Sequence, residues 1–132
     1  MSRTITEEAF ADGCAMMAKI YGYGRPACGT FGQSPFLDET IGHLHADIWS
    51  RPGLSLRDRR LLALGATAMN GREDLIEIQV KGALVAGEFD KAELDEIVLQ
   101  LAFYAGWGNA TAVMRGIQAA LASYATEVQP KT

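Results

Sequence analysis

The amino-acid sequence predicts an all-α protein, a single-domain bundle of about six helices that occupies residues 1–132. Helix-capping residues and helix breakers divide the chain into apolar-periodic segments. No segment alternates apolar and polar residues between turn signals, as a half-buried strand would. A chain of 132 residues can bury a sufficient apolar core without the help of a metal or a disulfide.

The predicted helices begin and end at recognisable signals. Thr4 or Thr6 caps the first, Ser34 and Pro35 open the second, and Asp90 with Glu93 forms a capping box for the fifth. The Gly- and Pro-rich stretch before Ser34 is predicted to be an ordered loop. Other starts and stops are Ser55, Asn70–Gly71, Gly87, Gly106 and Asn109. The six predicted helices are residues 7–20, 35–50, 56–69, 72–86, 91–105 and 110–125.

Charge and composition exclude several functional classes. Twelve basic residues stand against sixteen acidic ones, a formal net charge of −4, so the chain lacks the basic face that binds nucleic acid. No apolar run approaches the roughly 20 residues that span a bilayer. The N-terminus is polar and acidic, unlike a signal peptide. Cys14 and Cys28 are too few to indicate a disulfide framework. We therefore expect a soluble, cytoplasmic protein with no membrane partner.

His45 is the candidate general acid or base. It lies four residues after Ile41 and three before Ile48, on the apolar side of the second predicted helix. A histidine there is more often a satisfied core residue, but an imidazole suits proton transfer near neutral pH. His43 falls on the polar side and is predicted to be solvated. Two histidines at i and i+2 cannot share a metal on one helical face, so no metal site is expected.

Gln79 and Arg72 are predicted to point into the apolar stripe of the fourth helix. A buried amide without a partner costs on the order of 2–7 kcal/mol, so each group must be bonded. One interpretation is that Gln79 ties two helices together and Arg72 caps a neighbouring helix end. The alternative is that both face a ligand cavity.

Four arginines crowd the segment from Arg51 to Arg60. The default interpretation of such a run is a solvated face. The alternative is an anion-binding mouth to which the N-terminus of the third helix adds its N–H groups.

The segment from Asp47 to Leu121 resembles the carboxymuconolactone decarboxylase family of the alkylhydroperoxidase D-like superfamily. The resemblance rests on WSRPGL, an arginine-containing helix that ends at Asn70–Gly71, a GAL followed by Gly87, and an acidic helix leading to LQLAFYAG. It implies an all-helical fold and a homo-oligomer, a trimer or hexamer, with active sites near subunit interfaces.

The peroxidase branch of that superfamily requires a Glu, a CxxC and a His. The matching positions here are Arg60, Arg72, Leu75 and Gln79, so each is replaced. A dithiol peroxidase needs a reactive thiolate with a resolving thiol beside it. Thiol peroxidase activity is therefore not expected.

The decarboxylase branch implies a cofactor-free carboxy-lyase that acts on a carboxylated lactone or related cyclic acid. Its reaction on 4-carboxymuconolactone needs cations for carboxylates, an apolar cavity, and an acid for the dienolate carbon. Gln79 occupies the family's His position and cannot shuttle a proton, so His45 is the expected proton donor. Arg59 and Arg72 are expected to hold a carboxylate, and Gln79 and Tyr104 an oxygen. Trp107 is expected to shape the pocket.

Three further expectations remain open. The cavity can be walled by Phe31, Phe103, Tyr104 and Trp107, although for Phe103 a core role is preferred. The enzyme can be a tailoring decarboxylase or cyclase of an aromatic, polyketide-like substrate. The chain can also be a non-catalytic ligand-binding or assembly member of the fold.

Overall fold

A computed structural model describes residues 4–22 and 28–127 of the chain, and these residues form helices and no strand. The all-α prediction is confirmed. The chain divides into two compact units, residues 1–56 and 57–132, and the prediction of a single domain stays a prediction. The α-helices are α1 Glu7–Tyr21, α2 Pro35–Glu39, α3 Leu56–Met69, α4 Glu73–Ala86, α5 Lys91–Ala105 and α6 Trp107–Glu127. No helix of the described part of the chain is long and apolar enough to cross a membrane.

In the first unit, α1 packs closely against the segment that follows α2. The Thr6 hydroxyl accepts a hydrogen bond from the Ala9 amide at 3.0 Å, which starts α1, and Gly22 at φ +88° ends it. A Cβ at Gly13 would clash with the carbonyl oxygen of Ile41, so glycine is required there. The crossing buries a small apolar cluster around Phe10.

The second predicted helix is not one regular helix. After α2, residues Thr40–His45 form a π-helical turn, and Ile48–Ser50 form a short 3₁₀ turn. The Ala46 amide donates to the Ile41 carbonyl oxygen, five residues back, at 3.1 Å. Apolar spacing cannot distinguish this geometry from an α-helix because it differs by one residue in a single turn.

Cys14 and Cys28 are joined by a disulfide, with their Cα atoms 5.8 Å apart. The cysteine count did not predict this bridge. The count addresses frameworks of several bridges and says nothing about a single pair. The bridge ties the middle of α1 to the chain that precedes α2.

The second unit contains α3 to α6. Its core is a continuous apolar cluster to which all four helices contribute, with Leu64, Val80, Leu94 and Val113 among the fully buried members. Where α4 meets α6, a Cβ at Gly116 would lie 2.6 Å from the Ile76 side chain, so a glycine lets the helices approach.

Helix ends in the second unit follow the sequence signals closely. The bounds predicted for α3 and α5 match the structure, and both halves of the Asp90–Glu93 capping box are present. The last helix begins at Trp107 rather than after Asn109. The Asn109 side chain instead donates to the Ala105 carbonyl oxygen at 2.9 Å and so satisfies the end of α5.

Candidate functional site

Arg60 is the centre of a buried polar cluster in the second unit. Its side chain is fully buried, and its Nε and Nη2 donate to the two carboxylate oxygens of Glu88 at 2.5 and 3.1 Å. Its Nη1 donates to the Gln79 carbonyl oxygen at 3.0 Å and to Gln79 Oε1 at 3.2 Å. Three groups from α3, α4 and the α4–α5 turn are therefore joined by charge-assisted hydrogen bonds.

The α4–α5 turn positions Glu88 for this contact. Gly87 adopts a left-handed conformation at φ +69°, and the Glu88 amide donates to the Ala83 carbonyl oxygen at 3.0 Å. The chain is thereby turned at the end of α4, and the Glu88 carboxylate meets α3. Sequence reasoning missed both Arg60 and Glu88: Arg60 lay within a run interpreted as a solvated face or an anion-binding mouth, and neither description fits it.

Gln79 is buried, and its amide is oriented by Arg60. Gln79 thus joins α4 to α3 through Arg60, as the first interpretation held, and the alternative that it faces a ligand stays a prediction. Because Arg60 holds Oε1, the other end of the amide, Nε2, is fixed as a hydrogen-bond donor. Among the described residues, none accepts a hydrogen bond from that nitrogen.

His45 lies in the first unit and is 3% exposed, so it belongs to the buried side as predicted. Its Nδ1 is 2.7 Å from the Thr40 carbonyl oxygen, and its Nε2 is 3.0 Å from the Tyr21 hydroxyl. The Tyr21 and His45 rings meet edge to face, with centroids 5.6 Å apart. Tyr21 was not singled out from sequence because its partner lies 24 residues away.

His43 lies on the opposite, wetter side of the same turn, as predicted. Its Nδ1 is 3.0 Å from a Glu39 carboxylate oxygen, and its Nε2 is 4.0 Å from Asp47. The two histidines are thus in separate environments. The described residues contain no group of three or more His, Cys, Asp or Glu side chains placed to hold a metal ion.

Arg72 is exposed and does not lie on the apolar stripe. It is the N-cap residue of α4, outside the helical periodicity, which is why spacing misplaced it. Its Nε and Nη2 donate to the two Asp74 carboxylate oxygens at 2.9 and 2.8 Å. The hydrogen bond from Arg72 lowers the pKa of the Asp74 carboxyl to about 2. Arg59 is partly buried on α3.

The aromatic residues predicted to wall one cavity are distributed differently. Phe31 packs against Phe10 in the first unit, with ring centroids 5.7 Å apart. Phe103, Tyr104 and Trp107 lie on the second unit and are 74%, 78% and 65% exposed. The core role preferred for Phe103 is therefore wrong: its ring is exposed and, among the described aromatic rings, meets that of Trp107 edge to face, with centroids 5.5 Å apart.

A groove of about 600 Å³ runs between α3 and α5 in the second unit. Leu61, Leu64, Phe89, Ile97 and Leu101 line its apolar walls, and Gly65 leaves open space beside them. Its polar residues are Arg57, Asp90, Glu93, Glu96 and Gln100. Three carboxylates accompany a single cation, and that cation is bound to Glu93 at 2.8 Å. The groove lining therefore disfavours an anionic ligand.

A smaller cavity of about 320 Å³ lies between α5 and α6. Trp107 lines it together with Val98, Leu99, Ala102 and Met114. Trp107, which follows Gly106 at the start of α6, thus lines a cavity in the structure. That this cavity receives a substrate stays a prediction.

Comparisons with known proteins give a consistent family. The family model described as carboxymuconolactone decarboxylase matches residues 35–119, well over half of the chain. The 4-carboxymuconolactone decarboxylase of Acinetobacter baylyi (strain ATCC 33305 / BD413 / ADP1) is 34% identical over 68 residues, which are 52% of this chain and 50% of that protein. The chain therefore spans about half the length of this curated relative. No solved structure matches the chain. On the strength of the family model, the chain belongs to the carboxymuconolactone decarboxylase family.

Proposed function

We propose that the protein is a cofactor-free carboxy-lyase that removes CO2 from a carboxylated lactone or a related cyclic acid. The family and the name of the relative support this class of reaction. The observation that carries it is the orientation of Gln79, whose Oε1 is held by Arg60 so that Nε2 faces away as a donor.

Loss of CO2 from such a substrate leaves two electrons in a dienolate, with negative charge on an oxygen. A donor fixed before the reaction stabilises that charge without having to reorganise. Gln79 Nε2 is such a donor, because the ion pair between Arg60 and Glu88 holds the guanidinium that orients the amide. A proton donor must then protonate the dienolate carbon, and we assign that task to the His45 region.

The remaining substrate contacts are assigned to Arg59 and Arg72 for a carboxylate, Tyr104 for an oxygen and Trp107 for the pocket wall. At Arg72 the substrate carboxylate would replace Asp74, which occupies the guanidinium in the structure. We do not place the substrate in the groove between α3 and α5, because its rim is acidic.

A decarboxylation assay on freshly generated 4-carboxymuconolactone tests the proposal, with CO2 release and the ultraviolet spectrum followed together. We expect Gln79→Met to lower kcat about 100-fold, the usual loss for one such donor. The matched control is Gln118→Met, on the exposed side of α6, which should keep wild-type kcat. A chelator should not change the rate. No turnover by the wild-type protein, or full turnover by Gln79→Met, contradicts the proposal.

We also propose that the protein assembles into a homo-oligomer, a trimer or hexamer. Support comes from exposed apolar residues of the second unit, the most exposed of which are Leu62, Met69, Leu99, Phe103, Tyr104 and Trp107. Native mass spectrometry should show the oligomer, and Phe103→Glu should dissociate it whereas Gln118→Glu should not. A monomeric wild-type protein contradicts this part of the proposal.

For location we propose the cytoplasm, where the Cys14–Cys28 disulfide would have to be reversible, since cytosolic thiols are kept reduced. Acid quenching of producing cells, followed by thiol labelling, should find both cysteines reduced. Quantitative retention of the disulfide would argue for an oxidising compartment.

A further inference from the structure

The hydrogen bonds of His45 assign its protons. A carbonyl oxygen only accepts, so the 2.7 Å contact with Thr40 places a proton on Nδ1. The neutral ring then has its lone pair on Nε2, which accepts from the Tyr21 hydroxyl at 3.0 Å. Because Nδ1 keeps its proton in either charge state, Nε2 is the ring atom that gains or loses one. That atom faces Tyr21.

The π-helical turn makes this arrangement possible. Thr40 and His45 are the first and last residues of the turn, and the side chain of the last reaches the carbonyl group of the first. π-Helical turns are rare in proteins, and those that do occur often lie at functional sites. The contact also fixes the ring so that Nε2 points toward the end of α1, where Tyr21 is the final residue.

Exposure separates the roles of the two residues. The His45 ring is 3% exposed and has hydrogen-bond partners at both nitrogens, so it is closed to a substrate. Tyr21 is only partly buried, with its ring packed against the apolar cluster of the first unit. We propose that Tyr21 is the catalytic residue that transfers a proton to the substrate. His45 is a positioning residue that holds the proton by which the Tyr21 hydroxyl is restored. The inference rests on the proposed carboxy-lyase function.

Tyr21 and His45 together deliver one proton to the substrate carbon. The substrate C–C bond to the leaving carboxylate breaks, CO2 departs, and the electron pair stays on the dienolate. The Tyr21 O–H bond breaks as a C–H bond forms on the substrate carbon. At the same time the Nε2–H of protonated His45 passes its proton to the Tyr21 oxygen, which leaves a neutral ring. Solvent returns one proton through Tyr21 before the next turnover.

A purely structural pair would leave catalysis untouched when one hydroxyl is removed, so the first test is Tyr21→Phe. We expect kcat to fall by about 100-fold or more, as for loss of a general acid, with KM within a factor of about two. His45→Gln should also lower kcat at unchanged KM, because an amide cannot supply the second proton. Tyr124→Phe and His43→Gln are the matched controls and should behave as wild type.

Nitrogen-15 NMR of the histidine rings gives a readout that does not depend on activity. We expect neutral His45 to carry its proton on Nδ1, and Tyr21→Phe to move the Nε2 signal while Tyr124→Phe leaves it in place. An Nε2-protonated neutral ring overturns the inference.

The two proposals can fail separately. If wild-type protein turns over the lactone and Tyr21→Phe retains wild-type kcat, the role of Tyr21 is wrong while the carboxy-lyase function stands. If wild-type protein is inactive on every carboxylated lactone, the function and the catalytic role of Tyr21 both fall. The NMR result then decides only whether the hydrogen-bonded pair exists.

Discussion

The first unit, residues 1–56, and the second unit, residues 57–132, hold their helices together with different kinds of contact. The first depends on single close approaches between distant residues: a glycine against a backbone carbonyl, a disulfide, and a tyrosine on a histidine. The second has a continuous apolar core, with helices that begin and end at local capping signals. Tyr21 and His45, the residues that we propose for proton transfer, both belong to the less regular unit.

The second unit also depends on a contact between residues far apart in the sequence, the buried ion pair of Arg60 and Glu88. Arg60→Met should destabilise the protein by about 4 kcal/mol, because it leaves the Glu88 carboxylate nearly buried without its partner. Urea unfolding followed by circular dichroism measures the loss. Adding Glu88→Leu should recover part of it, since no charge is then stranded.

Arg57→Met is the matched control for Arg60→Met, three residues earlier on the same helix. The Arg57–Glu93 pair is more than 40% exposed at both side chains, and Arg57 also donates to the Glu88 carbonyl oxygen at 3.1 Å. Arg57→Met should therefore cost about 1–2 kcal/mol, well below the loss expected for Arg60→Met. Equal losses for the two variants would contradict the distinction between buried and exposed arginines.

The crossing at Gly13 is the corresponding weak point of the first unit. Gly13→Ala should cost about 2 kcal/mol, because the added methyl group meets a backbone carbonyl that cannot rotate away. Trp49 and Trp107 are the two tryptophans, one in each unit, so a Trp107→Phe background makes fluorescence report on the first unit. Gly53→Ala, whose Cβ would meet open space, should leave the transition unchanged.

Gly65 offers a stabilising change in the second unit. It lies inside α3, beside the groove, and a Cβ there meets nothing within 4 Å. Gly65→Ala should therefore raise stability by about 0.5–1 kcal/mol through helix propensity. Ala66→Gly, at the exposed neighbouring position, should lower it by a similar amount. A destabilised Gly65→Ala would indicate that a partner fills the groove in the assembled protein.

The exposed Arg72–Asp74 pair should have the smallest effect. The pKa of Asp74 is lowered to about 2, so its contribution is present above the ordinary value of 3.8 and is lost as the pH falls through about 2. Solvent and salt screen a pair this exposed. Asp74→Asn should therefore leave the melting temperature at pH 7 unchanged, and a clear decrease would contradict the assignment.

The sequence could predict what depends on neighbouring residues. The ends of α3 and α5, the capping box at Asp90 and the burial of His45 and Gln79 follow from spacing and caps, and the structure agrees. The starting point of α6 was missed because an asparagine that caps the preceding helix resembles one that opens the next.

Contacts between distant residues account for the rest. The burial of Arg60 depends on Glu88, 28 residues later, and the environment of His45 depends on Tyr21, 24 residues earlier. Helical periodicity describes one helix at a time. It could therefore predict which face of a helix is buried, but not which distant residue a buried side chain contacts. It also failed at Arg72, which precedes the first turn of its helix.

The π-helical turn at Thr40–His45 has a consequence for comparing this chain with its relatives. Such a turn accommodates one residue more than an α-helical turn, so a chain shorter by one residue here could keep α2 and the 3₁₀ turn in sequence as a plain helix. The side chains on either side of the deletion would then keep their faces, because the residue lost is the extra one that the π-helical turn holds. An alignment gap of one residue within 40–45 would therefore mark a relative that lacks the wide turn across which His45 Nδ1 reaches the Thr40 carbonyl oxygen. The position of gaps in this segment would therefore divide the members of the family into those with the π-helical turn and those without it, before any substrate is known.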